Sequence, residues 1–315
     1  MGAAASIAEP DPWAGCAPDE ALRRVKAEDD TPIVVSSDDG EETDVGALLN
    51  AALVAGGGGG GAARVNLDGC ELGADAFAAL PASALAAVRA RATVLVLSGN
   101  ALTDAFSPWA ALGATRLRAL HLANNELTAC PAGLGAACPL LADLDLSYNE
   151  GLQLAARDAL GAPPPPLARL QLAGCALTDD ALAAASAALG AVGATLRELA
   201  LADNVLGDAA AFGAALAAAR LVALAELDAR ENEVCDERGY RDAALGACPA
   251  LARLDGASLR GLAGGGGVRA LVGPTGCLGL DESNNGLLGD AAAMATLEKE
   301  VADGLAGKAD STVIS

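Results

Sequence analysis

One histidine, eight cysteines and 41 carboxylate side chains are the groups in this 315-residue chain whose chemistry could be catalytic or metal-binding. A nucleophile–His–acid set needs a Ser or Cys beside the imidazole. His121 stands in Ala119-Leu120-His121-Leu122-Ala123, whose alternate positions offer only alanine. The cysteines (Cys16, Cys70, Cys130, Cys138, Cys175, Cys235, Cys248 and Cys277) are scattered singly, with no C-x-x-C pair. One histidine cannot complete a Cys/His zinc set of the usual spacing, so unbridged thiols in a reducing compartment are the expectation. No pair of carboxylates is set apart in an apolar stretch, as glycosidic acid–base chemistry requires. Glycine runs at 56–61 and 264–267 lack a following G-K-[ST] and are not phosphate loops. No catalytic residue, cofactor or metal is expected, and the chain reads as a non-enzyme.

Charge and composition narrow the partners. Lys plus Arg number 20 against 41 Asp plus Glu, a net charge of -21. Such a field repels phosphate backbones and anionic lipid headgroups, leaving basic proteins or basic segments as partners and excluding nucleic acid. Hydrophobic residues reach 53% with only 2% aromatic, so the core must be thin layers of Leu, Val and Ala. Ala-rich 208–225 comes nearest to a membrane span, but Arg220 interrupts it. A soluble monomer without stable membrane association is expected.

The elements that position these groups are set by an internal period. The pattern L-x-x-L-x-L-x-x-N/C-x-L reads clearly as Leu117, Leu120, Leu122, Asn125, Leu127, and again as Leu167, Leu170, Leu172, Cys175, Leu177. Further copies contain Asn100, Asn149, Asn204 and Asn232, and the first is Val65, Leu67, Cys70, Leu72. Starts at 62, 92, 117, 141, 167, 196 and 224 give steps of 24 to 30 residues. The central L-x-L is a short strand with two leucines inward and the intervening residue outward. The Asn or Cys turns the chain, and its side chain can bond backbone groups of neighbouring turns. The remaining residues return along the other side, as helix where Thr178-Asp179-Asp180 provides an N-cap-type start to an Ala-rich segment. No repeat can bury its leucines alone, so the array folds by stacking.

On these residues the chain resembles leucine-rich-repeat proteins. The longer L-x-L-x-x-C-x-L-T-D copies are similar to ribonuclease-inhibitor-like repeats, and the shorter ones to those of phosphatase regulatory subunits. Tyr240-Arg241 followed by Pro249, Leu251, Leu254 and Asp255-Gly256 resembles the C-terminal cap of acidic nuclear phosphoproteins, the spliceosomal A-prime protein and dynein assembly factors. The resemblance implies an α/β horseshoe solenoid with a concave parallel sheet and a mainly helical convex side. It implies a protein-binding scaffold or adaptor, with an enzyme regulator, inhibitor or histone-type chaperone as the alternative. The location it implies is cytoplasmic, with nucleus and cilium as alternatives. The expected organisation is a flexible tail over 1–30, a capping repeat and Gly-rich link over 31–61, the capped array over 62–256, and a tail with one helix over 257–315.

Outward strand positions divide the concave face. Arg64, Asn66, Asp68, Val94, Val96, Ser98 and Asn124 make one end mild and partly apolar, with His121 beside them. Asp143, Asp145, Glu198, Asp203, Glu226, Asp228 and Glu231 make the other end acidic, against Arg169 and Arg230, with Tyr148 in the same half. Carboxylates side by side on adjacent strands repel one another, a cost that a basic partner would relieve. These acidic residues, Tyr148 and His121 are the candidate contact set. Met1-Gly2-Ala3-Ala4-Ala5-Ser6 matches the myristoylation pattern at Gly2, followed by Glu9 and Asp11 rather than a basic second signal. Val25-Lys26-Ala27-Glu28 resembles the attachment consensus of a small ubiquitin-like modifier. Ile33-Val34-Val35, with acidic residues after it, reads either as a strand that binds such a modifier or as the strand capping the first repeat.

Overall fold

The computed structural model describes residues 63–70, 72, 82–104 and 116–259. Eight strands follow in register: β1 (Ala63–Asn66), β2 (Ala92–Val96), β3 (Ala119–His121), β4 (Asp143–Asp145), β5 (Arg169–Gln171), β6 (Glu198–Ala200), β7 (Glu226–Asp228) and β8 (Arg253–Leu254). They pair in parallel in sequence order, each with the next, and β9 (Ala257–Ser258) closes the sheet antiparallel to β8. Val65, Leu95, Leu120, Leu144, Leu170, Leu199, Leu227 and Leu254 sit opposite one another along this sheet. Each is at most 1% exposed, so one continuous leucine layer runs under all repeats.

The polar ladder beside that layer explains the Asn positions. Asn125 donates to the carbonyls of Leu97 and Leu122 and accepts from the Leu102 amide at 3.1 Å. Asn149 does the same one repeat on, donating to Leu122 and Leu146 and accepting from Leu127. Asn100, Asn204 and Asn232 repeat the arrangement. Where Cys175 interrupts the row, its thiol reaches Leu146 O at 3.3 Å and its amide donates to Asn204. Buried backbone groups of consecutive turns are thus satisfied by side chains, which a turn without a ladder residue could not do.

The return limbs carry α1 (Ala82–Arg91), α2 (Leu134–Ala137), α3 (Asp179–Val192), α4 (Ala209–Ala219) and α5 (Tyr240–Ala247). Thr178 caps α3 by accepting from the Ala181 amide, and Asp208 caps α4 by accepting from Ala210 and Ala211 at 2.8 Å. Asp179 also accepts from the Gly207 and Asp208 amides, tying two repeats together. The convex side is less uniformly helical than the resemblance implied. From 117 to 166 it holds one helical turn and otherwise bends and turns. The shorter repeats leave few residues for a return helix, and Pro131, Pro139 and the proline run at 163–166 remove backbone donors.

Past the motif at Tyr240–Gly256 the described residues continue through one more short strand. Asp255 (φ 53°) and Gly256 (φ 80°) form the two-residue turn between β8 and β9, the left-handed pair that Asp-Gly adopts in tight hairpins. Tyr240 packs against Phe212 with ring centroids 5.5 Å apart and donates its hydroxyl to Asp255 at 2.9 Å. Asp255 in turn accepts from the Ala229 amide. Replacing Tyr240 and Leu254 with Ala is expected to loosen the C-terminal repeats first, because stability in such arrays is a nearest-neighbour sum. Hydrogen exchange should accelerate across 226–256 before 92–104; unchanged protection at 226–256 would show that these residues do not close the array. The proposed tail helix, the capping repeat and Gly2 lie outside the described residues.

Candidate functional site

Two rows of side chains stand on the concave face. The strand register places Arg64, Val94, Ala119, Asp143, Arg169, Glu198, Glu226 and Arg253 in one, and Asn66, Val96, His121, Asp145, Gln171, Ala200 and Asp228 in the other. Six candidate residues (His121, Asp143, Asp145, Glu198, Glu226 and Asp228) therefore share one sheet face, as their spacing required.

Tyr148, Asp203 and Glu231 occupy a different element. Each immediately precedes a ladder asparagine and has left-handed backbone, with φ of 55°, 54° and 59°. Asn124 occupies the equivalent turn at 53°. A left-handed conformation costs an ordinary L-residue roughly 1–2 kcal/mol, and the ladder bonds on either side hold it. The three side chains thus form an exposed rim along the C-terminal ends of the strands. Tyr148 is 53% exposed, and its ring fills the space where a side chain at Gly174 would stand. Gly174 is therefore required by the tyrosine of the preceding repeat.

The expected self-repulsion of the acidic half is corrected by the pairing observed. Asp143 is fully buried and bonded in bidentate fashion by Arg169, through Nε at 2.9 Å and through Nη2. His121 Nε2 lies 3.6 Å from the same carboxylate, an ion-pair distance rather than a hydrogen bond. Burial pushes the Asp143 carboxyl upward, but the imidazole of His121 and the charge and hydrogen bonds of Arg169 outweigh it, and it titrates below the ordinary Asp range. Asp143 is thus part of the sheet's internal pairing and is removed from the accessible contact set. Asp228 is bound by Arg230 at 2.9 and 2.7 Å, and Glu226 lies 3.5 Å from Arg253. Each arginine comes from the same or the next repeat, so the attraction holds the face together as well as muting its charge.

What remains is a face whose acidity is partly compensated and still in excess. Asp145, Glu198, Asp203 and Glu231 add to the paired Glu226 and Asp228, with Asp145 and Glu198 both acting on the Arg169 guanidinium. Between β6, β7 and β8 a shallow depression of about 380 Å³ is lined by Arg197, Glu198, Ala225, Glu226, Ala252, Arg253 and Ser258.

Burial sets the state of several thiols. Burial pushes the Cys130 and Cys138 thiols up to about 12, and it pushes Cys175 and Cys248 to about 11. These four remain protonated near neutrality, the unreactive form of the thiol. The sheet neighbours of His121 are Val96 and Asp145, neither a Ser nor a Cys. Among the described residues no group of three His, Cys, Asp or Glu side chains is placed to hold a metal ion. No described helix is long and apolar enough to cross a membrane.

The family described as Leucine Rich repeat matches residues 194–212, which span β6 and the start of α4. No curated protein matches the sequence. Among solved structures, an internalin (inlF) from Listeria monocytogenes strain 4b F2365 is 22% identical, over 55% of this chain and 43% of that one, with a TM-score of 0.32. The APL1 leucine-rich repeat domain is 18% identical over 62% and 55% of the two chains, at 0.34. The Drosophila melanogaster SNF/U2A′ complex is 15% identical over 64% and 76%, at 0.25. The chain thus spans less than two thirds of the first two. At these scores the assignment rests on the repeat register and the asparagine ladder.

Proposed function

We propose that this leucine-rich-repeat protein is a non-catalytic scaffold that holds a basic segment of another protein on the C-terminal half of its concave face. The observation that carries the reading is the surplus of carboxylates there: Asp145 on β4, Glu198 on β6, and Glu226 and Asp228 on β7, with Asp203 and Glu231 on the rim. Arg169, Arg230 and Arg253 compensate part of this charge, and they also mark where a partner's own cations would substitute. Tyr148 adds an exposed aromatic at the edge of the acidic patch, the type of side chain enriched at binding hot spots. The arrangement favours recognition by Lys and Arg side chains laid across strands, at a rate that long-range charge increases.

Asp145→Lys, Glu198→Lys and Asp228→Lys together are expected to abolish capture of the principal partner from extract. None of the three belongs to the leucine layer, so the solenoid should stay folded. The control reverses the same charge on the return limbs through Asp158, Glu237 and Asp242, all exposed. Asp179 and Asp208 are unsuitable controls because Asp179 ties its repeat to the next and Asp208 caps α4, whereas the only backbone amides that Asp145 and Asp228 accept from are Ser147 and Arg230 in their own turns. Retained capture by the concave triple would refute the proposed site.

A further inference from the structure

The residue just before each strand sets how much space is left at that edge of the concave face. Arg197 precedes β6, whereas Ala225 precedes β7 and Ala252 precedes β8. Two short side chains in consecutive repeats leave room for the depression of about 380 Å³, which Glu198, Glu226 and Arg253 also line. Both alanines are partly exposed, so the depression offers apolar surface as well as charge. Arg197 Nη1 donates to the Ala223 carbonyl at 3.1 Å, which holds that guanidinium against the backbone. Among the carboxylates of this face, Glu226 has acceptor capacity to spare. Asp143 and Asp228 each take two guanidinium nitrogens of one arginine. Glu226 faces Arg253 Nη1 at 3.5 Å, an ion pair rather than a hydrogen bond. Arg253 is 53% exposed, and so open an ion pair holds its partners weakly. Glu198 stands directly opposite Glu226 in the register between β6 and β7, on strands ~4.8 Å apart.

We infer that the depression anchors one arginine of the bound segment, with its methylene stem over Ala225 and Ala252 and its guanidinium between Glu198 and Glu226. This placement rests on the basic-segment reading and gives that segment a fixed point at β6 to β8. A guanidinium presents its donors in a rigid plane and can serve two carboxylates at once, whereas an ammonium is a compact, strongly hydrated point charge. The stem of a long cationic side chain gains by lying on apolar surface while its head stays at the carboxylates. Arg253 already shows the chemistry, since a guanidinium of the chain's own approaches Glu226 from the neighbouring strand. The partner's arginine displaces it into water, at little cost for an exposed pair. An anion would meet Arg197 and Arg253 there, but against the field of a chain with net charge -21.

Calorimetric titration of the 315-residue protein with two peptides tests it, one alternating Ser with Arg and the other Ser with Lys. Each is about twenty residues, long enough to cross the strands. Wild type should bind the arginine peptide at least ~10-fold more tightly than the lysine peptide. Ala225→Leu with Ala252→Leu fills the depression without changing charge, and should bring the two peptides within ~2-fold of each other. Glu226→Gln keeps the shape and removes the charge, and should cut the preference below ~3-fold. Thermal melting checks the fold of each variant, and Glu226→Gln carries the test if the double variant does not fold. Equal affinity of the two peptides for wild type would overturn the inference and leave the scaffold reading in place. So would a preference that survives either substitution in a folded variant. Binding of neither peptide would remove the scaffold reading and this site with it.

Discussion

Leu199→Asp is expected to unfold the C-terminal repeats, at a cost of about 4 kcal/mol or more. Leu199 is 1% exposed and lies between Leu170 and Leu227 in the sheet register. A carboxylate there would sit between two leucine layers with no cation inside the core, losing both the apolar burial and its own hydration. The change also divides the nearest-neighbour stack, so β7, β8 and the Tyr240–Asp255 cap lose their support. Thermal melting would show either a large drop or two separated transitions. A variant melting within a degree of wild type would remove the register from which every concave position has been assigned.

Asp143→Ala should cost about 3 kcal/mol, at the low end for breaking a buried ion pair. The side chain of Arg169 is 17% exposed and would lose its bidentate partner, although Asp145 and Glu198 still act on it. Removing Arg169 as well should recover part of the loss, because the uncompensated charge goes with it. The same pair gives a pH signature. A carboxyl whose folded-state pKa is depressed contributes stability that is present above the ordinary Asp value of about 3.9 and is lost as pH falls through the folded value. Wild-type stability should therefore fall more steeply than that of Asp143→Asn as the medium is acidified below about pH 4. Chemical denaturation series at neutral and acid pH measure both effects. Equal stability of Asp143→Ala and wild type at pH 7 would mean that the pair does not hold β4 to β5.

Much of this architecture was legible because it depends on residues at fixed spacing. The alternation of Leu120, His121 and Leu122 is enough to send the imidazole outward, and the recurring Asn positions predict the ladder that Asn125 and Asn149 form. The return limb at 117–166 was less legible, because proline and repeat length compete there with an alanine-rich composition that favours helix. The Asp255-Gly256 hairpin carried a usable signal, an Asp-Gly pair between short strands, overshadowed by reading the cap as a linear pattern.

The electrostatics of the face were the least legible part. Arg169 and Asp143 are separated by 26 residues, and only the register between β4 and β5 makes them direct neighbours. Counting charges along the sequence therefore overstates repulsion at Asp143, Glu226 and Asp228.

The central claim is that a particular half of one face, rather than net charge, selects a basic partner. Its most direct test is calorimetric titration of a Lys/Arg-rich peptide of about twenty residues, long enough to cross four strands spaced ~4.8 Å apart. The 315-residue wild type, the concave triple (Asp145, Glu198, Asp228 to Lys) and the return-limb triple (Asp158, Glu237, Asp242 to Lys) would be compared at low and physiological salt. The concave triple should lose at least ~100-fold in affinity and the return-limb triple less than ~5-fold, with wild-type affinity falling as salt shortens the screening length to about 8 Å. Equal losses in the two triples would contradict the claim and leave only the overall charge of the chain.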